Sequence, residues 1–184
     1  MSLVFLGNPA LRRMSKKVAD VRAPAIAQLL TNMEAQVRQE DGVGIAAPQL
    51  GHNLRMFLML KDAPLSDDDL PHEDDTVRFE YQAVINPEIV ETSKATMKDF
   101  EGCLSIPGYM GVVRRAREIR VQFNDAEGRT HQKTLRDFPA RIFQHELDHL
   151  NGVLYLDRLE KDTLIHNEEF RRLDRAEIAK LLRD

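Results

Sequence analysis

The segment Phe138-Pro139-Ala140-Arg141-Ile142-Phe143-Gln144-His145-Glu146-Leu147-Asp148-His149-Leu150-Asn151-Gly152 limits this chain more than any other. Pro139 near its start and Gly152 just past its end punctuate it as a helix. On a helix His145 and His149, four residues apart, share one face and can share one metal ion, while Glu146 lies beside that face. The pattern H-E-x-x-H arises by chance in only roughly 1 to 2% of chains of this size and composition, so an exposed helix with incidental histidines is the weaker reading. Such a helix belongs inside the fold, where a third ligand can reach it. The expected architecture is α+β: a single domain, residues 1–184, with a mainly antiparallel sheet packed around the central metal-binding helix.

Size permits this without staples. A chain of 184 residues buries about 70% of its unfolded surface on folding. Cys103 is the sole cysteine, which excludes an intramolecular disulfide and points to a reducing compartment. The 26 basic and 30 acidic side chains leave a net charge of −4, with no basic stripe of the kind nucleic acid requires. Apolar runs, the longest near Met56 to Leu60, fall far below the ~18 residues of a membrane span, and the first residues lack signal-peptide order. A soluble, cytosolic protein with no membrane partner is expected.

Upstream of the metal-motif helix, Ala23 to Gln39 carries Ile26, Leu29, Leu30, Met33 and Val37 at helical spacing, with Pro24 in a first turn. After Asp41 and Gly42 the small residues to Gly51 read as a loop, followed by a strand in Asn53 to Leu60. The Asp-rich stretch from Lys61 to Glu80 reads as a solvated insertion, and Ala83 to Glu91 as a further strand. Glu118 to Asp125 and Arg129 to Asp137 flank a turn and predict a hairpin, and Asn167 to Leu182 predicts one closing helix. His52, His72, His131 and His166 have no partner spacing and read as solvated.

The third ligand is open between two sources. A metzincin-type third histidine is excluded, because Tyr155 stands three residues after Gly152. A thermolysin-like arrangement would draw on Glu168 or Glu169. The alternative is Cys103, within Glu101-Gly102-Cys103-Leu104-Ser105: a thiolate is a strong ligand, and a His₂Cys set with an open position suits catalysis. A lone cysteine is more often a small buried hydrophobe, but its neighbours Glu101, Gly102 and Ser105 are unusual for a plain core strand.

Three segments in this order resemble the peptide deformylases: Gly42-Val43-Gly44-Ile45-Ala46-Ala47-Pro48-Gln49, Glu101 to Ser105, and Gln144 to His149. The family's patterns are G-x-G-x-A-A-x-Q, E-G-C-x-S and Q-H-E-x-D-H, and every diagnostic position is present. Arg141 is similar to members from organelles and some bacteria. Many bacterial members carry an Arg where this chain has Met110.

The resemblance implies that Cys103, His145 and His149 hold one divalent metal, Fe²⁺ by family habit, with Ni²⁺, Co²⁺ or Zn²⁺ as substitutes. Glu146 would move the proton, while the Gln49 amide and the Leu104 N–H face the developing oxyanion. The substrate would be an N-formyl-methionyl peptide or nascent chain, releasing formate. Val43, Gly44, Ile45, Gly102, Phe138 and Ile142 are the expected substrate-binding residues, Gly44 and Gly102 where its backbone approaches closely. Glu101 and Arg115 would pair to fix the cysteine loop, whereas Asp148 has no assigned direction. The resemblance further implies a bacterial cytoplasmic setting, with an organelle as the alternative, and ribosome contact through Arg171, Arg172, Arg175 and Lys180. The competing readings are a thermolysin-like endopeptidase and a non-catalytic metal-stabilised binding module with a closed site.

Overall fold

The computed structural model describes residues 2–64, 66 and 79–183. Most of the Asp-rich stretch, His72 included, lies outside the described residues. The fold is α+β, built on two antiparallel sheets with one helix between them.

The larger sheet has the order β1-β2-β3-β6-β7. Its strands are β1 (Gly44–Ala46), β2 (Met56–Leu60), β3 (Tyr81–Thr92), β6 (Glu118–Asn124) and β7 (Thr130–Arg136). The second sheet joins β4 (Thr96–Cys103), β5 (Ile106–Ala116) and β8 (Ile165–His166). β2 is apolar and buried at every position because helices cover both faces of the larger sheet there. Side chains alternate across a strand, so Phe57 and Met59 face α2 (Asp137–Leu150), while Met56 and Leu58 face α1 (Pro24–Gln39). The α1 face presents Ile26, Leu29, Met33 and Val37, all buried, as their spacing requires. Each such side chain contributes about 1.5 to 3 kcal/mol through burial.

α2 is buried on nearly every side, packing Phe143, Leu147 and Leu150 on the larger sheet. It ends as its sequence predicts: Gly152 has φ +73, and a Cβ there would stand 2.7 Å from the Arg12 carbonyl oxygen. The β6–β7 hairpin pairs Asn124 with Thr130 through to Glu118 with Arg136, as expected. Among the described residues no helix is long and apolar enough to cross a membrane.

Three sequence expectations need correction. The glycine-rich segment after Gly42 is not wholly loop: Gly44–Ala46 is strand β1, paired with β2 in the register Gly44 to Met59. Gly44, whose Cβ would meet Glu146, and Ala46 flank a single β-branched residue, Ile45, so the three-residue segment is too short and too poor in branched side chains to mark itself as a strand. The segment Asn167 to Leu182 is two helices, α3 (Asn167–Phe170) and α4 (Arg175–Leu181). Asp174 starts the second, its carboxylate accepting from the Ala176 and Glu177 N–H groups while Glu177 reaches back to the Asp174 N–H. His131 and His166 are engaged rather than simply solvated. His131 bonds Asp125 at 2.7 Å and stacks on Phe123, and His166 accepts from the Glu168 N–H at 3.2 Å.

Candidate active site

β4 runs into a tight turn, Leu104–Ser105, so Cys103 ends a strand beside α2. Its Sγ lies 3.3 Å from His149 Nε2. One donor atom each from Cys103, His145 and His149 falls within 4.8 Å of the others, the group among the described residues able to hold a metal ion. The thermolysin-like alternative finds no support, since Glu168 pairs with Arg171 and Glu169 with Arg172 on an exposed surface.

The electrostatics favour a cation at this point. His145 Nδ1 is 2.9 Å from Glu101 Oε2, which fixes the ring and turns Nε2 towards the cysteine. Against the lowering effect of burial, bonds to Cys103 and Glu101 raise His145 above the ordinary imidazole range. Burial, with the charges of His145 and Arg115, lowers His149 and keeps it a neutral donor. A thiol and two imidazoles, one backed by a carboxylate, form a donor set that fits a single first-row divalent ion with one position left open.

Gln49 comes from the 3₁₀ turn Ala47–Leu50 that follows β1. Its Oε1 accepts from the Ala46 N–H at 2.8 Å, and its Nε2 is 3.2 Å from Ser105 Oγ and 3.5 Å from Cys103 Sγ. The amide hydrogens therefore face the metal group. The N-terminal segment braces this pair from outside, Val4 N–H bonding the Gln49 carbonyl at 2.8 Å and Leu6 N–H the Ser105 carbonyl at 2.9 Å.

Glu146 lies against β1, its Oε1 2.6 Å from where a Cβ on Gly44 would stand. Its Oε2 is buried with no hydrogen-bond partner. Burial pushes its carboxyl up to about 7, with His145 opposing the shift and Glu101 adding to it. A carboxyl in that range suits proton transfer near neutral pH.

Behind the ligands lies a buried cluster of charges. Arg115 grips Glu101 through two bonds of 2.9 Å, and Arg141 Nη1 adds a third at 2.7 Å. Arg115 also bonds Asp148, which Arg158 holds from the other side. Glu101 is driven well below the usual carboxylate range: burial acts to raise it, but bonds from Arg115 and His145 outweigh that. The Glu101–Arg115 pair is thus interior rather than an ordinary surface pair. Asp148 orients Arg115 and Arg158, not an imidazole. Arg141 was legible only in part. Its i−4 position from His145 puts it on the metal face, but its bonds to Glu101 and to the Val113 and Met97 carbonyls come from strands distant in sequence.

A cleft of about 410 Å³ opens over the metal group. Val43, Gly44, Gln49, Gly102, Cys103, Leu104, Phe138, Ile142, His145 and Glu146 line it. Ile45 does not: it is fully buried in the core facing α1, because strand alternation turns it away from the face that Gly44 shares with the site. Met110 and Arg141 line the cleft as well.

Comparison with known proteins agrees with this geometry. Residues 1–164 match the family model described as polypeptide deformylase. The chain is 40% identical over 174 residues to peptide deformylase 2 of Nostoc sp., covering 94% of each. It is 37% identical over 181 residues to the peptide deformylase of Thermus thermophilus, covering 97% of this chain and 90% of that one. The crystal structure of the Thermotoga maritima enzyme superimposes with a TM-score of 0.74 at 34% identity, covering 86% of this chain and 96% of that one. A class I type b enzyme of Acinetobacter baumannii, solved with Met-Ala-Ser bound, gives 0.76 at 32% identity, covering 86% and 98%. Sequence and architecture thus agree over nearly the whole chain. It belongs to the peptide deformylase family, enzymes with a single catalytic metal that remove the N-formyl group from newly made polypeptides.

Proposed function

We propose that Cys103, His145 and His149 hold the catalytic ion, Fe²⁺ in the cell with Ni²⁺, Co²⁺ or Zn²⁺ as substitutes, and that residues 1–184 act as one catalytic unit in the bacterial cytoplasm. The observation that carries this reading is the convergence of the three donors beside Glu146, whose Oε2 has no other partner. Such an ion, when bound, would supply Lewis acidity and make a water easy to deprotonate near neutral pH.

The remaining work falls to this chain's own side chains. Glu146 accepts a proton from the attacking water and returns it to the leaving amine as the formyl C–N bond breaks, giving formate and a free amino terminus. The Gln49 amide, held by Ala46, and the Leu104 N–H donate to the developing oxyanion, each worth on the order of 3 kcal/mol. The peptide lies as an added strand between the edges at Gly44 and Gly102. Its methionine side chain enters the apolar part of the cleft formed by Val43, Phe138 and Ile142. The Acinetobacter relative, solved with Met-Ala-Ser, holds the same class of peptide.

The test is formate release from formyl-Met-Ala-Ser by protein purified anaerobically with iron or nickel. Release should vanish in Glu146→Gln at unchanged metal content, and Cys103→Ser should lose the metal. A metal-loaded protein without release overturns the reading. Retention of metal by Cys103→Ser removes the cysteine from the ligand set.

A further inference from the structure

The lining of the cleft includes a residue beyond 164, where the family match ends. β8 pairs with β5, Ile165 opposite Met110 and His166 opposite Tyr109. Phe170 packs edge-on against Phe100 at 4.7 Å, and His166 against Tyr109 at 5.2 Å. These contacts fix Asn167, one residue past the His166–Tyr109 pair, as a cleft-lining residue beside Gly108, Tyr109 and Met110.

Asn167 is out of balance where it stands. Its Oδ1 is buried with no hydrogen-bond partner. An acceptor taken out of water without a donor loses its solvation and gains nothing, and native structures leave few such groups unexplained. The residue is not there to cap a helix, because His166 caps α3 with its own side chain. Met110, its neighbour on the wall, offers no N–H donor from its side chain. What does bring donors into this cleft is an extended peptide, whose backbone N–H groups need acceptors.

We infer that Asn167 is a substrate-positioning residue that accepts a backbone N–H of the peptide downstream of the formyl-methionine. Asn167 lines the cleft, and the broad terminal torsion of asparagine lets its amide turn to meet a peptide bound there without rotamer strain. The residue thereby distinguishes a polypeptide from a lone formyl-amino acid. This rests on the deformylase reading above, and the control substrate below separates the two.

The experiment compares formyl-Met-Ala-Ser with formyl-methionine on the nickel-loaded wild type and Asn167→Ala. Alanine is compatible with the first position of α3, and melting temperature and metal per chain verify that the variant is intact. The expected result is a rise in KM for the tripeptide of about 3- to 10-fold, the worth of one neutral hydrogen bond, at unchanged kcat. Formyl-methionine should show the same kcat/KM in both proteins. An unchanged tripeptide KM, or an equal loss with both substrates, overturns the inference. Absence of turnover in the wild type would instead refute the parent reading. Asn167→Gln, which keeps the amide, should recover part of the tripeptide preference, as a merely structural role would not require.

Discussion

Gly44→Ala tests the placement of Glu146, and kcat read together with metal content separates that effect from the peptide's close approach at Gly44, which falls on KM. A Cβ at Gly44 would lie 2.6 Å from Glu146 Oε1, 3.0 Å from Cδ and 3.1 Å from Cγ. The backbone cannot yield easily, because Gly44 pairs with Met59 in the larger sheet and α2 is buried on nearly every side. Gly44 is not in the left-handed region, so alanine brings no conformational penalty of its own. The carboxylate must therefore retreat by about 0.8 Å to reach ordinary contact. That retreat is cheap for stability: overpacking costs about 1 to 3 kcal/mol, offset by about 0.4 to 1 kcal/mol from the stiffer unfolded chain. The melting temperature should fall by no more than about 10 °C. Catalysis is less forgiving, since a misplacement near 1 Å costs on the order of 100-fold. We expect kcat for formyl-Met-Ala-Ser to drop by about that factor with metal per chain unchanged. The double variant with Glu146→Gln should be no slower than Glu146→Gln alone, because both act through one group. A Gly44→Ala protein with full metal and kcat within about twofold of wild type would refute the reasoning.

Arg141→Met removes a guanidinium from Glu101 and leaves the buried Val113 carbonyl and the partly buried Met97 carbonyl without that donor; the expected cost is about 2 to 4 kcal/mol. Calorimetry should show a melting temperature lower by about 5 to 15 °C, and a fall under about 2 °C would mean that Arg115 alone satisfies Glu101. At the hairpin, burial acts to raise the Asp125 carboxyl, but bonds from His131 and Arg129 outweigh it and hold it below the usual range. Its folded value is thus depressed, so its stabilisation is present above an unfolded pKa of about 3.9 and lost as pH falls below that. The melting difference between wild type and Asp125→Asn should be full at neutral pH and shrink below about pH 4, and a pH-independent difference would contradict the assignment.

What the sequence carried openly was periodic or punctuated. α1 shows its buried face at helical spacing, α2 is bounded by Pro139 and Gly152, and the β6–β7 hairpin surrounds a turn. His145 and His149 were legible because helix geometry links them, whereas Cys103 stayed one of two open sources on the residues alone and was singled out by the family resemblance; the structure brings its Sγ to the two imidazoles. What stayed hidden depends on partners distant in the chain. β1 could not be read from Gly44-Ile45-Ala46, because it is a strand only by virtue of pairing with β2. Ile45 was placed in the cleft by its neighbourhood in sequence, while the alternation of that unseen strand sends it to the core. Asn167 lies in the cleft only because the two-residue β8 returns to β5.

The same distinction explains the third polar residue of the helix motif. A ligand imidazole is usually oriented by an acceptor at its second nitrogen; for His145 that acceptor is Glu101, whereas His149 Nδ1 is buried without a partner. To serve, Glu101 must stay ionised in the interior, which burial opposes and two guanidiniums make tolerable. Arg115, now itself buried, needs a second anion, and Asp148, three residues after His145 on the same helix, provides it. Asp148 in turn binds Arg158, just beyond the helix. Each charge in the series is required by the desolvation of the one before it, beginning at the metal ligand and ending at a half-exposed arginine where water can take over. A helix that buries the histidine held by Glu101 thus needs counter-charges on its own faces, and Asp148 is one of these.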